Sequence, residues 1–186
     1  MTTFVTADRR LAVVIGDNIR SRLIAHCARA GRNETGGVLV GRYTDLHDQA
    51  LITEVSGPPR DSIHMRVSFI RGLVGLQRRI DRAWRRHDYY LGEWHFHPYM
   101  DATPSDRDRK QITAFARDPA YACPQPILIV IGGDPSDNPE FHIGVVDGQT
   151  LLDLHPSDEV YRPDPTRSVT AANEDVTRPE GPSGGK

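Results

Sequence analysis

The chain is short of cysteine, of lysine and of long apolar runs, and each shortage removes a class of protein. Its two cysteines, Cys27 and Cys123, stand far apart with no Cys-x-x-Cys pair. That excludes a disulfide framework and a thiolate metal site, so any metal must be held by His, Asp or Glu. The longest apolar stretches, 11–15 and 126–131, are far too short to span a bilayer, and no charged N-terminal region precedes an apolar run. The chain therefore reads as a soluble cytoplasmic protein. Of 23 basic residues only Lys110 and Lys186 are lysine, which leaves few acceptors for lysine modification. A formal net charge of −2 argues against nucleic acid or an anionic membrane as the main partner. No internal repeat is present.

What is there fits one domain of about 160 residues with a tail. With 186 residues, the chain can bury one sizeable core. Residues 11–15 read as a buried strand, followed by a helix whose apolar positions Ile19, Leu23, Cys27 and Ala30 share one face and which ends at Gly31. The stretch 33–41 enters a strand that runs to about Tyr43 and pairs as a hairpin with 51–56, and 65–69 reads as a short strand. A helix is expected over 69–87, with Phe69, Leu73, Leu76, Ile80 and Trp84 on its apolar face and five arginines opposite. Strands are expected at 89–97, 126–131, 141–146 and 151–154, with a helix at 105–117. Single strands, hairpins and helical crossovers together imply an α/β class with a mixed sheet. From 161 to 186 prolines are interspersed with small and charged residues, the composition of a disordered tail.

The chemistry is concentrated in Gly92-Glu93-Trp94-His95-Phe96-His97-Pro98 and the Ser105-x-x-Asp108 that follows. Strand alternation sends His95 and His97 to one face with Glu93, and Trp94 and Phe96 to the other. Pro98 ends the strand, and a helix opening at Ser105 can return the Asp108 carboxylate to the imidazoles. Two histidines and one carboxylate would leave a fourth zinc position open for water. Each piece also has a plain reading: paired histidines on a half-exposed strand, and a Ser-x-x-Asp capping box. Their coincidence in one short segment favours the metal. Hydrolysis at a carbonyl held there needs a second acid from elsewhere in the chain to carry the proton.

The segment His95-x-His97-Pro98-x6-Ser105-x2-Asp108, preceded by Glu34 in Glu-Thr-Gly-Gly-Val-Leu-Val-Gly, resembles the JAMM motif of the JAB/MPN metalloproteases in their compact prokaryotic form. The resemblance covers residues 10–155 and implies the JAB/MPN fold, a mixed sheet flanked by helices. It implies His95, His97 and Asp108 as ligands of one Zn2+, Glu34 as general acid/base and Ser105 as oxyanion partner, with Glu93 behind the ligands. The implied activity is cleavage of an isopeptide or peptide bond after the C-terminal tail of a ubiquitin-like protein. Such domains occur beside activating-like and conjugating-like enzymes, including in anti-phage operons, and those are the implied partners. Family members that lack the ligands act as scaffolds, the alternative reading. Phe96, between the histidines, departs from the small or hydroxylic residue common there. The substrate's extended tail is expected to add a strand along the hairpin 36–56.

Overall fold

A computed structural model of the chain describes residues 1–158; the domain boundary at 160 and the tail over 161–186 lie outside the described residues. Eight strands close into a barrel: β1 (Thr2–Thr6), β2 (Ala12–Ile15), β3 (Thr35–Tyr43), β4 (Gln49–Val55), β7 (Tyr89–Pro98), β8 (Ile127–Gly133), β9 (Glu140–Asp147) and β10 (Thr150–Ser157). Their order around the barrel is β1-β10-β9-β8-β7-β3-β4-β2. The β2–β4 and β7–β8 joins are parallel and the others antiparallel, so the class is mixed α/β, as expected. Closure itself was not legible. It depends on β1, where the sequence analysis placed no strand, pairing with both β10 and β2.

The barrel has an apolar inside and a partly covered outside. Trp94 and Phe96 point inward with Leu39, Ile127, Ile129 and Ile131, and α1 (Asp17–Ala30) adds Ile19, Leu23 and Cys27 to that core. Trp94 and Phe96 are completely buried, and the indole N–H of Trp94 donates to the Ser56 carbonyl at 2.9 Å. Burying an aromatic side chain of this kind is worth about 2–3 kcal/mol. Outside, α2 (Leu76–Trp84) covers Val38, Val40 and Tyr90, while α3 (Asp106–Arg117) brings Ile112 against Leu128 and Val130. Strand β8 is thus apolar on both faces, which is why 127–131 reads as an unbroken apolar run. No helix among the described residues is long and apolar enough to cross a membrane.

The segment between β4 and α2 differs most from expectation. In place of one strand at 65–69 and a helix from 69, there is a separate two-stranded arm, β5 (Ile63–Met65) and β6 (Ser68–Ile70). The helix begins only at Leu76. The Asp61 carboxylate accepts the N–H groups of Leu73 and Val74, and Ser62 Oγ accepts that of Gly72, which takes this stretch out of helical pairing. Gly75 then turns the chain at φ 82°, a conformation that favours glycine. Phe69 and Leu73 therefore leave the helix face assigned to them, and Leu73 is exposed. On α2 Arg78 and Arg82 are exposed and Arg79 pairs with Glu54 of β4, as does Arg86 just beyond the helix.

Candidate active site

The outer face of β7 carries Glu93, His95 and His97, because Trp94 and Phe96 take the inner face. Strand β7 is placed by its neighbours on both sides. Gly36 of β3 stands opposite His95, and Val130 of β8 stands on the other side. Gly36 is required there: a Cβ would meet the Trp94 carbonyl at 2.5 Å, Phe69 at 2.9 Å and His95 at 3.1 Å. Gly92, inside the strand, sits at φ 142°, where a Cβ would collide with the Ile127 backbone. These two glycines let three strands and the arm close around the imidazoles.

Helix α3 returns Asp108 to the histidines, as its position in the sequence suggested. Ser105 caps the helix in a full capping box: Ser105 Oγ accepts the Asp108 N–H at 3.2 Å, and the Asp108 carboxylate accepts the Ser105 N–H at 2.9 Å. The same carboxylate accepts the Ser105 hydroxyl at 2.7 Å. Asp108 Oδ1 lies 2.7 Å from His95 Nδ1, and Oδ2 lies 3.5 Å from His97 Nε2. Asp108 and His97 are buried. Burial alone would raise the Asp108 pKa, but the bonds from His95, His97 and Ser105 outweigh it and hold the carboxyl far below its usual range. For His95 burial pulls downward, while the Asp108 and Glu93 carboxylates push it up to about 9.

Glu34 sits just before β3, half-buried, with its backbone tied to the arm: its N–H donates to Met65 at 2.9 Å and its carbonyl meets His64 Nδ1 at 3.0 Å. Burial raises its carboxyl pKa, and the charges it feels next most strongly are those of His97, Asp108 and His95. All five residues singled out from the sequence are thus brought to one place. Glu93 is there too, 3.6 Å from His95 Nε2, but it is paired to Arg71 at 2.8 Å. Arg71, Phe69 and His64 of the arm were missed. A signal existed for Arg71, since a carboxylate on the buried face of a strand calls for a cation.

The donor set suits a zinc-type ion. Two ligands on a tetrahedral centre with bonds of about 2.0–2.2 Å stand about 3.4 Å apart, close to the 3.5 Å between His97 and Asp108. The His95–Asp108 contact is instead a hydrogen bond. Among the described residues no three His, Cys, Asp or Glu side chains are already grouped so as to hold a metal ion.

Strand β3 lies between β7 and β4, and β4 between β3 and β2, but the β3–β4 pairing begins only at Leu39 and the β2–β4 pairing ends at Ile52. Residues 35–37 and 53–55 of the hairpin 36–56 region therefore have a strand partner on one side at most among the described residues. The β5–β6 arm also stands beside the site, with Met65, Val67 and Ile70 exposed.

Comparison with known proteins agrees with this geometry. The family described as prokaryotic homologs of the JAB domain matches residues 17–143. A CD-NTase/cGAS isopeptidase of Enterobacter hormaechei is 37% identical over 134 residues, 72% of this chain and 74% of that protein. A probable metalloprotease of Sinorhizobium fredii is 31% identical over 143 residues, 74% of this chain and 87% of that protein. A solution structure of a Desulfitobacterium hafniense protein shares the fold at a TM-score of 0.56 and 17% identity, covering 82% of this chain and 94% of that one. With two thirds of its length matched by the family and with these relatives, the chain belongs to the prokaryotic JAB family and is a hydrolase of the JAB type.

Proposed function

We propose that the protein is a zinc-dependent isopeptidase that cleaves after the C-terminal tail of a ubiquitin-like protein, either from a conjugate or from a precursor. The observation that carries the reading is the meeting of His95, His97, Asp108, Ser105 and Glu34 on one outer face of the barrel. The relatives named CD-NTase/cGAS isopeptidase favour a modifier joined to a CD-NTase-type enzyme as the natural substrate. Conjugating and activating enzymes of that system are the implied partners.

His95, His97 and Asp108 would hold the metal. A zinc ion there supplies a Lewis acid for the scissile carbonyl and lowers the pKa of water to about 7. Glu34 takes the proton of the attacking water as the new C–O bond forms, and returns it to the lysine amine as the C–N bond breaks. Its upward-shifted carboxyl suits both halves of that exchange. Ser105 has one hydroxyl proton, given to Asp108 in the resting arrangement. To serve the carbonyl oxygen as negative charge develops, that proton turns to the substrate, and the Ser105 N–H keeps hold of Asp108. An extended substrate tail pairs with a free edge of the arm, which gives affinity through backbone hydrogen bonds.

The test is metal content with cleavage. Purified protein is expected to hold near-stoichiometric zinc and to cut a ubiquitin-like protein fused through its tail. Asp108→Ala is expected to lose both. Wild-type protein without zinc, or an Asp108→Ala variant that keeps it, would refute the reading.

A further inference from the structure

We infer that Arg71 and Glu93 form a positioning pair that ties the β5–β6 arm to His95. Glu93 is buried to 1% exposure, and the Arg71 side chain to 7%. Arg71 stands one residue beyond β6 and pairs with Glu93 Oε1 at 2.8 Å. The other oxygen, Oε2, faces His95 Nε2 at 3.6 Å and accepts a long bond from Gln111 at 3.4 Å. Phe69 of β6 lies edge-on to the His95 ring, with centroids 6.2 Å apart. The arm therefore reaches His95 twice, once ring to ring and once through a carboxylate.

Stability does not account for this pair. Removing two charges from water costs more than a buried ion pair commonly returns, and apolar residues of similar volume do as well or better. Here the pair is also incomplete: among the described residues neither Nε, which faces Glu93 as an ion pair, nor Nη1 of Arg71 has an aligned hydrogen-bond acceptor, and Nη2 reaches the Tyr121 hydroxyl at 3.4 Å. Orientation does account for it. A carboxylate behind a ligand imidazole sets the ring's direction and tautomer, and loss of such a partner typically weakens metal binding by roughly 10–100-fold. Since Glu93 is itself held by the arm, the orientation of His95 depends on where the arm sits. Glu34 depends on it as well, through Met65 and His64. A substrate tail seated on the arm would thus steady the metal ligand and the proton carrier together.

This rests on the reading of His95 as a zinc ligand, and the experiment separates the two. Zinc affinity by chelator competition and thermal unfolding are measured for wild type, Arg71→Lys and the double variant Arg71→Met with Glu93→Gln. The double variant removes both charges, so it is expected to unfold no earlier than wild type yet bind zinc roughly 10–100-fold more weakly. Arg71→Lys keeps the charge and is expected to fall between them. Zinc affinity equal to wild type in the double variant overturns the pairing while leaving the functional reading intact. Should that variant fail to fold, unchanged affinity in Arg71→Lys overturns it. A wild type that binds no zinc brings down the functional reading, and this inference with it.

Discussion

Glu34→Gln tests the division of labour most directly, because the structure separates what the side chain does from what the residue holds. The backbone of Glu34 is pinned by Met65 and His64, and Thr35 enters β3 opposite Phe96. An amide at this position therefore stands where the carboxyl stood. The proposed zinc donors lie on β7 and α3, so metal content should not change. Burial shifts the Glu34 pKa upward, which means that its ionised form is disfavoured by folding above the ordinary carboxyl range. Replacing it with an uncharged amide should leave the melting temperature unchanged or slightly higher. The chemical step is different, since an amide can neither take nor return the proton. General acid–base catalysis contributes about 10²–10⁴ in rate, or about 3–5 kcal/mol of barrier. The expected result is full zinc, an undisturbed melt, a nearly unchanged KM and a kcat lowered by that factor on a ubiquitin-like fusion. Cleavage at the wild-type rate would refute the reasoning and make Glu93 the proton carrier. Loss of zinc would show that Glu34 belongs to the ligand set.

Two further predictions concern Asp108's partners. Ser105→Ala removes the helix cap and should cost about 1 kcal/mol, which is about 2–4 °C in Tm for a chain of this size; kcat should also fall by about 10²–10³ if the hydroxyl serves the carbonyl oxygen, and a lowered Tm with unchanged kcat would leave Ser105 a cap alone. His95, held up to about 9, must lose its proton before it can bind a metal. Zinc affinity by chelator competition should therefore climb with pH, by at most about tenfold per unit, and level off near that value. The zinc-free protein should show the opposite trend: a raised folded-state pKa gives stability that is fully present below the unfolded value of about 6.5 and is lost as pH rises through about 9. Zinc affinity and zinc-free melts that do not change between pH 6 and 9 would contradict the His95–Asp108 coupling.

The candidate site was legible because it is built mostly from local chemistry. A strand with period two must put His95 and His97 on one face and Trp94 and Phe96 on the other, whatever the rest of the chain does. Ser105 followed by Asp108 caps a helix within four residues, so the return of the carboxylate needs only one turn of chain. The helix 17–30 and the strands of β3, β4 and β7–β10 followed from periodicity and punctuation for the same reason. Glu34 is the exception. Nothing local ties it to the histidines, and only the family pattern pointed to it.

What the tertiary structure decided are the pairings between distant segments. Closure of the barrel by β1 against β2 and β10 sets which strand neighbours each element has, and it was not legible locally. The arm itself was hidden, because apolar residues from Phe69 onward keep a helical spacing that Asp61, Ser62 and Gly75 override through hydrogen bonds and one left-handed turn. Arg71 could meet Glu93 only once that override had occurred. Local periodicity specifies which face a side chain takes, whereas the partner across that face depends on contacts far along the chain, and in this protein those contacts join the arm to His95 and Glu93.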